Sequence, residues 1–115
     1  MSAVKEKKLF IFEFANNHMG DVNHGLLMIE NLKNVVNSVQ CDEFEYAIKF
    51  QFRDIDTFIH PEFKNRMDIK YVKRFTETKL SKEEFFQLKK SAEHAGFKTI
   101  CTGFDEPSIS LIREM

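Results

Sequence analysis

Polar side chains stand in three groups at the ends of apolar runs in this sequence, where a ligand lies if those runs are the strands of an α/β fold. Glu13 leads into Asn16, Asn17 and His18; Lys49 is followed two residues later by Gln51; Thr102 precedes Asp105. A lysine or glutamate inside an apolar run is costly unless it is paired or turned toward a polar cavity. Lys49 is therefore either an edge-strand lysine in water or a side chain turned toward a polar cavity. Glu13 is either only a salt-bridge partner or likewise turned toward such a cavity. Other chemistries lack their residues. The loop Asn16-Asn17-His18-Met19-Gly20-Asp21 has one glycine where a dinucleotide fingerprint needs three. His18, His24, His60 and His94 show no ligand spacing, so no metal set is expected within this chain. His24 and His94 read as surface residues in first and last helical turns, whereas His18 stands just past the first apolar run. Ser81 and Ser108 have no base in a recognisable pattern and read as helix-end residues.

These residues need strands and helices to bring them together. Residues 9–15, LFIFEFA, are a nearly continuous apolar run, the pattern of a strand buried on both faces of a parallel sheet. A loop follows, then a helix from Asn23 to Val39 with Met28, Ile29, Leu32, Val35, Val36 and Val39 on one face. After a polar link at 40–43, residues 44–52 alternate partly, with Lys49 and Gln51 pointing the same way. Residues 53–80 are too long for a plain connection; Met67, Tyr71, Val72 and Phe75 predict a short helix with an apolar stripe. Ser81-Lys82-Glu83-Glu84 is a capping box opening a helix that carries Phe85, Leu88, Ala92 and Ala95 inward and stops at Gly96. A third strand spans 97–103, and Asp105 caps a last helix with Pro107 in its first turn and Ile109 and Ile112 on one side. Strands alternating with helices predict the α/β class with a parallel sheet, and in such folds ligands lie at the C-terminal ends of the strands. The last helix breaks off at Met115 in mid-pattern, so the chain is expected to be the opening part of something longer.

Composition narrows the classes. The 115 residues suit one domain, and 43% hydrophobic with 30% charged residues excludes disorder and collagen-like repeats. Seventeen Lys+Arg against eighteen Asp+Glu give a formal net charge of -1, with no basic surplus for nucleic acid. Thirteen phenylalanines, two tyrosines and no tryptophan make the packing depend on a ring without a polar handle; the phenylalanines read as core, not as a stacking platform. Cys41 and Cys101 form no C-x-x-C and are expected to be reduced thiols. The N-terminal apolar run is broken by Glu13 and meets Asn-Asn-His where a signal peptide would have small residues. No run approaches the ~20 apolar residues of a membrane span. A cytoplasmic protein is expected, with neither nucleic acid nor membrane as partner.

Three motifs in order then resemble one family. Phe12-Glu13-Phe14-Ala15-Asn16-Asn17-His18-Met19-Gly20-Asp21 resembles the first strand and loop of the sialic acid (N-acetylneuraminate) synthases, where an acid precedes Asn-His-x-Gly. Ala47-Ile48-Lys49-Phe50-Gln51 resembles their Val-Lys-Phe-Gln, and Thr102-Gly103-Phe104-Asp105-Glu106-Pro107-Ser108 their Thr-Pro-Phe-Asp-x-x-Ser. The resemblance implies the first three βα units of a (β/α)8 TIM barrel, residues 1–115 being its N-terminal portion, with the other strands and a C-terminal antifreeze-like domain absent. It implies condensation of phosphoenolpyruvate with an N-acetylmannosamine-type amino sugar, releasing phosphate, with a divalent metal (manganese or magnesium) whose ligands lie outside this chain. By motif, Glu13 and Lys49 would be catalytic; Asn17, His18, Lys49, Gln51, Thr102 and Asp105 would bind substrate. Lys49 would take the carboxylate or phosphate of phosphoenolpyruvate together with Thr102, Gln51 would line the site near the metal, and Asn17 and His18 would shape the loop over the sugar. Departures cluster at the acceptor end: Phe14-Ala15-Asn16 replaces small or aliphatic residues with a glycine, Met19 a polar residue, and Cys101 and Gly103 the usual Ser and Pro.

Alternatives from other classes are a non-catalytic three-stranded α/β binding module and another phosphoenolpyruvate aldol enzyme acting on a phosphorylated sugar. The 115-residue chain alone is expected to lack synthase activity and to form a homo-oligomer, its open sheet edges exposing Phe10, Ile48, Phe50 or their neighbours.

Overall fold

The computed structural model describes residues 6–39 and 41–115. Gln40 of the expected link and residues 1–5 of the N-terminal start lie outside the described residues. The order is β1 (Lys8–Ala15), α1 (Val22–Val39), β2 (Phe44–Phe52), α2 (Ile55–Phe58), a 3-10 turn (Pro61–Phe63), α3 (Lys70–Glu77), α4 (Lys82–His94), β3 (Lys98–Gly103) and α5 (Glu106–Glu114). The strands form one parallel sheet in the order β1-β2-β3, with α1 and α4 as its crossovers.

Side-chain alternation divides the sheet into two unlike faces. On one face Phe12, Phe14, Ile48, Phe50 and Phe52 meet Ile29 and Leu32 of α1 and Phe85, Leu88 and Ala92 of α4. The rings interlock there: Phe14 lies 5.1 Å from Phe50, and Phe85 touches both Phe50 and Phe52 at 5.6 and 5.1 Å. Each fully buried Ile, Leu or Phe in this layer contributes about 1.5–3 kcal/mol. Gly25 lets α1 and α4 approach closely, since a Cβ there would stand 2.8 Å from Cδ2 of Leu88. The opposite face carries Glu13, Glu45, Lys49, Gln51, Lys98 and Thr102, and its ion pairs run across the strands.

The helix ends follow the sequence signals. Ser81 accepts from the amide of Glu84 while the Glu84 carboxylate accepts from the amide of Ser81. Gly96 adopts φ +92 beyond the end of α4, and Asp105 caps α5 by accepting from the amide of Ser108.

Several burial expectations do not hold. Leu9, Phe10 and Ile11 are exposed, because β1 is a sheet edge and not a strand covered on both faces. Ile48 and Phe50 are 0% and 2% exposed: with Lys49 and Gln51 on the open face, alternation sends these two to the helices. On α1, Val35 and Val39 are exposed, the contacts being made by Met28, Ile29, Leu32 and Val36. Met67 lies before α3 and Tyr71 on it is exposed, so neither joins the apolar stripe; Val72 and Phe75 pack instead with Ile55, Ile59 and Ile69 in a second small cluster.

Candidate functional site

The C-terminal ends of the three strands carry the polar residues singled out in the sequence. At the end of β1 the pairing slips: Glu13 stands opposite Lys49, but Ala15 opposite Phe50. Ala15 takes φ +48, a left-handed conformation that disfavours a residue with a Cβ. Such a bulge re-aims the strand end, a device concentrated beside functional sites. Immediately before it, the Lys49 Nζ lies 3.1 Å from Oε2 of Glu13, with the two side chains 35% and 47% exposed. A pair this open to water contributes under about 1 kcal/mol to stability. Its chemical content is an ammonium and a carboxylate side by side on the open face, one able to hold an anion and the other to take a proton.

One step along the same face, Gln51 is opposite Thr102 in the register. Lys49, Gln51 and Thr102 thus share a face at the strand ends, as the alternation predicts. The Oε1 of Gln51 accepts from Nη1 of Arg53 at 3.2 Å, which turns the Gln51 amide hydrogens away from that arginine. Arg53 itself is gripped by rings: its guanidinium carbon stands 3.9 Å from the Phe104 centroid, 4.3 Å from Phe75 and 5.5 Å from Phe58. Its Nε is buried without a hydrogen-bond partner. Burial pushes its pKa down, the charge of Asp105 opposes this, and the charge of Arg74 adds to it.

Asp105 serves the architecture: Oδ1 accepts from the amide of Ser108 and Oδ2 from the amide of Asp54, both at 2.8 Å. The β2 exit is thereby tied to the start of α5, and little of this carboxylate is left to meet a substrate. His18 is likewise built in. It is 3% exposed, its Nδ1 accepts from the amide of Gly20 at 3.0 Å, and its ring leans on Phe14. Desolvation lowers its pKa, so the neutral ring is favoured, with the hydrogen on Nε2. Asn17, by contrast, is exposed on the same loop. Gly20, at φ +77, brings this loop against the end of α3, where a Cβ would lie 2.4 Å from the Glu77 carbonyl oxygen. Asp21 then accepts from the amides of Asn23 and His24 and starts α1.

In the excursion between β2 and α4 the sequence predicts one short helix, found as α3, but no site residue. The excursion brings α3 beside the strand ends and forms an open pocket of about 250 Å3 lined by Ala15, Asn16, Gln51, Arg53, Tyr71, Arg74 and Phe75. Arg53, Arg74 and Tyr71 were missed as site residues. Arg53 had a legible signal, because it continues the two-residue rhythm of Lys49 and Gln51 at a strand end. Arg74 and Tyr71 had none, since only the fold of the excursion brings them there.

Among the described residues no cluster of three or more His, Cys, Asp and Glu could hold a metal ion. Glu13 is engaged with Lys49 and the His18 Nδ1 with Gly20, so the residues present do not fit a divalent-metal site. Cys41 and Cys101 are free thiols, and burial pushes Cys101 up to about 11. No described helix is long and apolar enough to cross a membrane.

Comparison with known proteins agrees with the motifs. The sequence pattern of the NeuB family matches residues 34–115. An uncharacterized protein of Methanocaldococcus jannaschii is 30% identical over 110 residues, which is 96% of this chain and 28% of that protein. The crystal structure of a protein designated spore coat polysaccharide biosynthesis protein E, from Chromobacterium violaceum, superposes with TM-score 0.85 at 50% identity, over 94% of this chain and 31% of that one. N-acetylneuraminic acid (sialic acid) synthetase from Leptospira borgpetersenii serovar Hardjo-bovis, solved with citrate, superposes with TM-score 0.68 at 25% identity, over 96% and 34%. The chain therefore spans about a third or less of each protein it matches. Its three parallel strands and their helices match the opening βα units of a barrel synthase.

Proposed function

This chain belongs to the NeuB family, and on that premise we propose that the protein carrying it is a carbohydrate-biosynthetic synthase that condenses phosphoenolpyruvate with an N-acetylmannosamine-type amino sugar. The observation that carries this reading is the Glu13–Lys49 pair beside Gln51 and Thr102 on one open face at the strand ends. Condensation joins the methylene carbon of phosphoenolpyruvate to the aldehyde carbon of the open-chain sugar, whose oxygen takes a proton and becomes a hydroxyl. A water supplies the oxygen that replaces the phosphoryl group's oxygen at the second carbon, and inorganic phosphate departs.

This chain's residues supply charge and orientation. Lys49 holds the carboxylate or phosphate of phosphoenolpyruvate, and Thr102 donates a hydroxyl to the same ligand. Glu13, already ion-paired with Lys49, takes or holds a proton of the reacting partners. Gln51 presents its amide hydrogens to the site because Arg53 occupies its oxygen. His18 acts from beneath the loop, holding Asn17 where it can meet the sugar. Asp105 keeps the β2 and β3 exits in register and so positions Thr102. The divalent metal that the resemblance implies takes its ligands from elsewhere in the protein, and no step given for these residues runs through it.

Lys49→Ala in the full-length gene product tests the assignment. Loss of a charge held against an anion removes ~2–4 kcal/mol of transition-state binding, about 30- to 1,000-fold in kcat/KM for phosphoenolpyruvate. Unchanged kinetics would make Lys49 a solvated strand residue.

A further inference from the structure

The cavity beneath α3 has a charge pattern that the condensation does not require. Arg53 and Arg74 both line it, with Asn16, Gln51 and Tyr71 as neutral hydrogen-bonding neighbours, and no carboxylate is among its lining residues. The two guanidinium groups are close enough to repel. Asp105 is the acid that offsets Arg53, and both of its oxygens already accept backbone amides. Arg74, exposed on α3, forms no ion pair among the described residues. Like charges facing one cavity are held there at a cost unless a counter-charge enters.

The geometry also fixes one of them in advance. Phe58, Phe75 and Phe104 come from three separate segments and hold the plane of Arg53, so its donors lose little freedom when a ligand arrives. Its Nη1 is taken by Gln51 and its Nε is shut off from solvent, which leaves the Nη2 end for a ligand. Arg74, on α3, lines the same pocket.

We propose that Arg53 and Arg74 form an anion-binding subsite, separate from Lys49, that receives an anionic group carried by the acceptor sugar. The shared chemistry is an oxyanion with several acceptor oxygens, either a phosphate ester or a sugar carboxylate. The cavity, at about 250 Å3, accommodates such a group with part of the sugar chain behind it. This inference rests on the synthase reading for the word acceptor; the anion subsite itself stands on the two arginines.

The test uses the full-length gene product and has two arms. In the first, phosphate release from phosphoenolpyruvate is followed with N-acetylmannosamine, its 6-phosphate and the corresponding 6-carboxylate. The expected result is a kcat/KM at least tenfold higher for an anionic acceptor, and the better of the two anions identifies the group. Arg74→Met should erase that preference by raising the acceptor's KM while the KM for phosphoenolpyruvate stays put. A preference for the neutral sugar, or a preference intact in Arg74→Met, overturns the proposal. The second arm is orthophosphate binding by calorimetry in a Lys49→Met background, which disables the phosphoenolpyruvate end. Arg74→Met should weaken it about tenfold. Loss of that binding in an enzyme that leaves phosphoenolpyruvate intact would retain the anion subsite and remove the synthase reading; binding indifferent to Arg74 removes the subsite whatever the reaction. Arg53→Lys serves as a second probe, and because Arg53 is packed among rings, Arg74, on the surface, decides the matter.

Discussion

Replacing Gly20 by alanine should loosen the link between the β1–α1 loop and α3, and its cost can be worked from the structure. The residue sits at φ +77, where a side chain costs about 1–2 kcal/mol. Its new Cβ would lie 2.4 Å from the carbonyl oxygen of Glu77 and 3.2 Å from Cα of Thr78, both backbone atoms that cannot turn aside. Forced overpacking of that kind adds ~1–3 kcal/mol, for a total of about 2–5 kcal/mol. Gly96 supplies the control: it has φ +92, yet nothing lies within 4 Å of its Cβ position. Gly96→Ala therefore carries the left-handed cost alone, about 1–2 kcal/mol. Urea titration followed by circular dichroism measures both, and at a slope of roughly 1–2 kcal/mol per molar the Gly20 midpoint should fall at least ~0.5 M further. Equal midpoints for the two variants would refute the close approach of this loop to α3, and with it the pocket between them.

Other outcomes follow from the same geometry. Ala15→Gly should raise stability by about 1 kcal/mol in the same titration, because Ala15 is held at φ +48; a loss would mean that the bulge is absent in solution. His18 has a lowered pKa in the fold, so its neutral form is favoured there. Stability should be fully present above the unfolded value of about 6.5 and fall as pH drops below it toward the lower folded value, and His18→Gln should remove that part of the slope. The 115-residue chain should self-associate in light scattering at micromolar concentration, since the edge strand β1 exposes Leu9, Phe10 and Ile11; a clean monomer with cooperative unfolding would contradict this.

The strands and main helices were legible because their signals are local. The capping box at Ser81, the stop at Gly96 and the cap at Asp105 need only a few residues each, and all three form as the sequence implies. The period-two placement of Lys49 and Gln51 likewise located the open face, and the same alternation, carried one residue further each way, would have assigned Ile48 and Phe50 to the helix side. What the sequence could not convey was long-range. The grip of Phe58, Phe75 and Phe104 on Arg53 joins three segments, and no local pattern announces it. The double role of Asp105 was half visible: its cap to Ser108 is local, while its bond to Asp54 spans 51 residues. Tyr71 reads as apolar in a helical stripe, and only the tilt of α3 over the strand ends turns it toward the cavity.

The central claim is that the protein carrying this chain condenses phosphoenolpyruvate with an amino sugar. The most direct measurement is phosphate release from phosphoenolpyruvate by the full-length gene product, read beside formation of the new keto acid, with and without an N-acetylmannosamine-type acceptor. The account predicts release only when an acceptor is present, one phosphate for each keto acid formed. Phosphoenolpyruvate left intact with every such acceptor, neutral or anionic, or phosphate released equally without one, would contradict it.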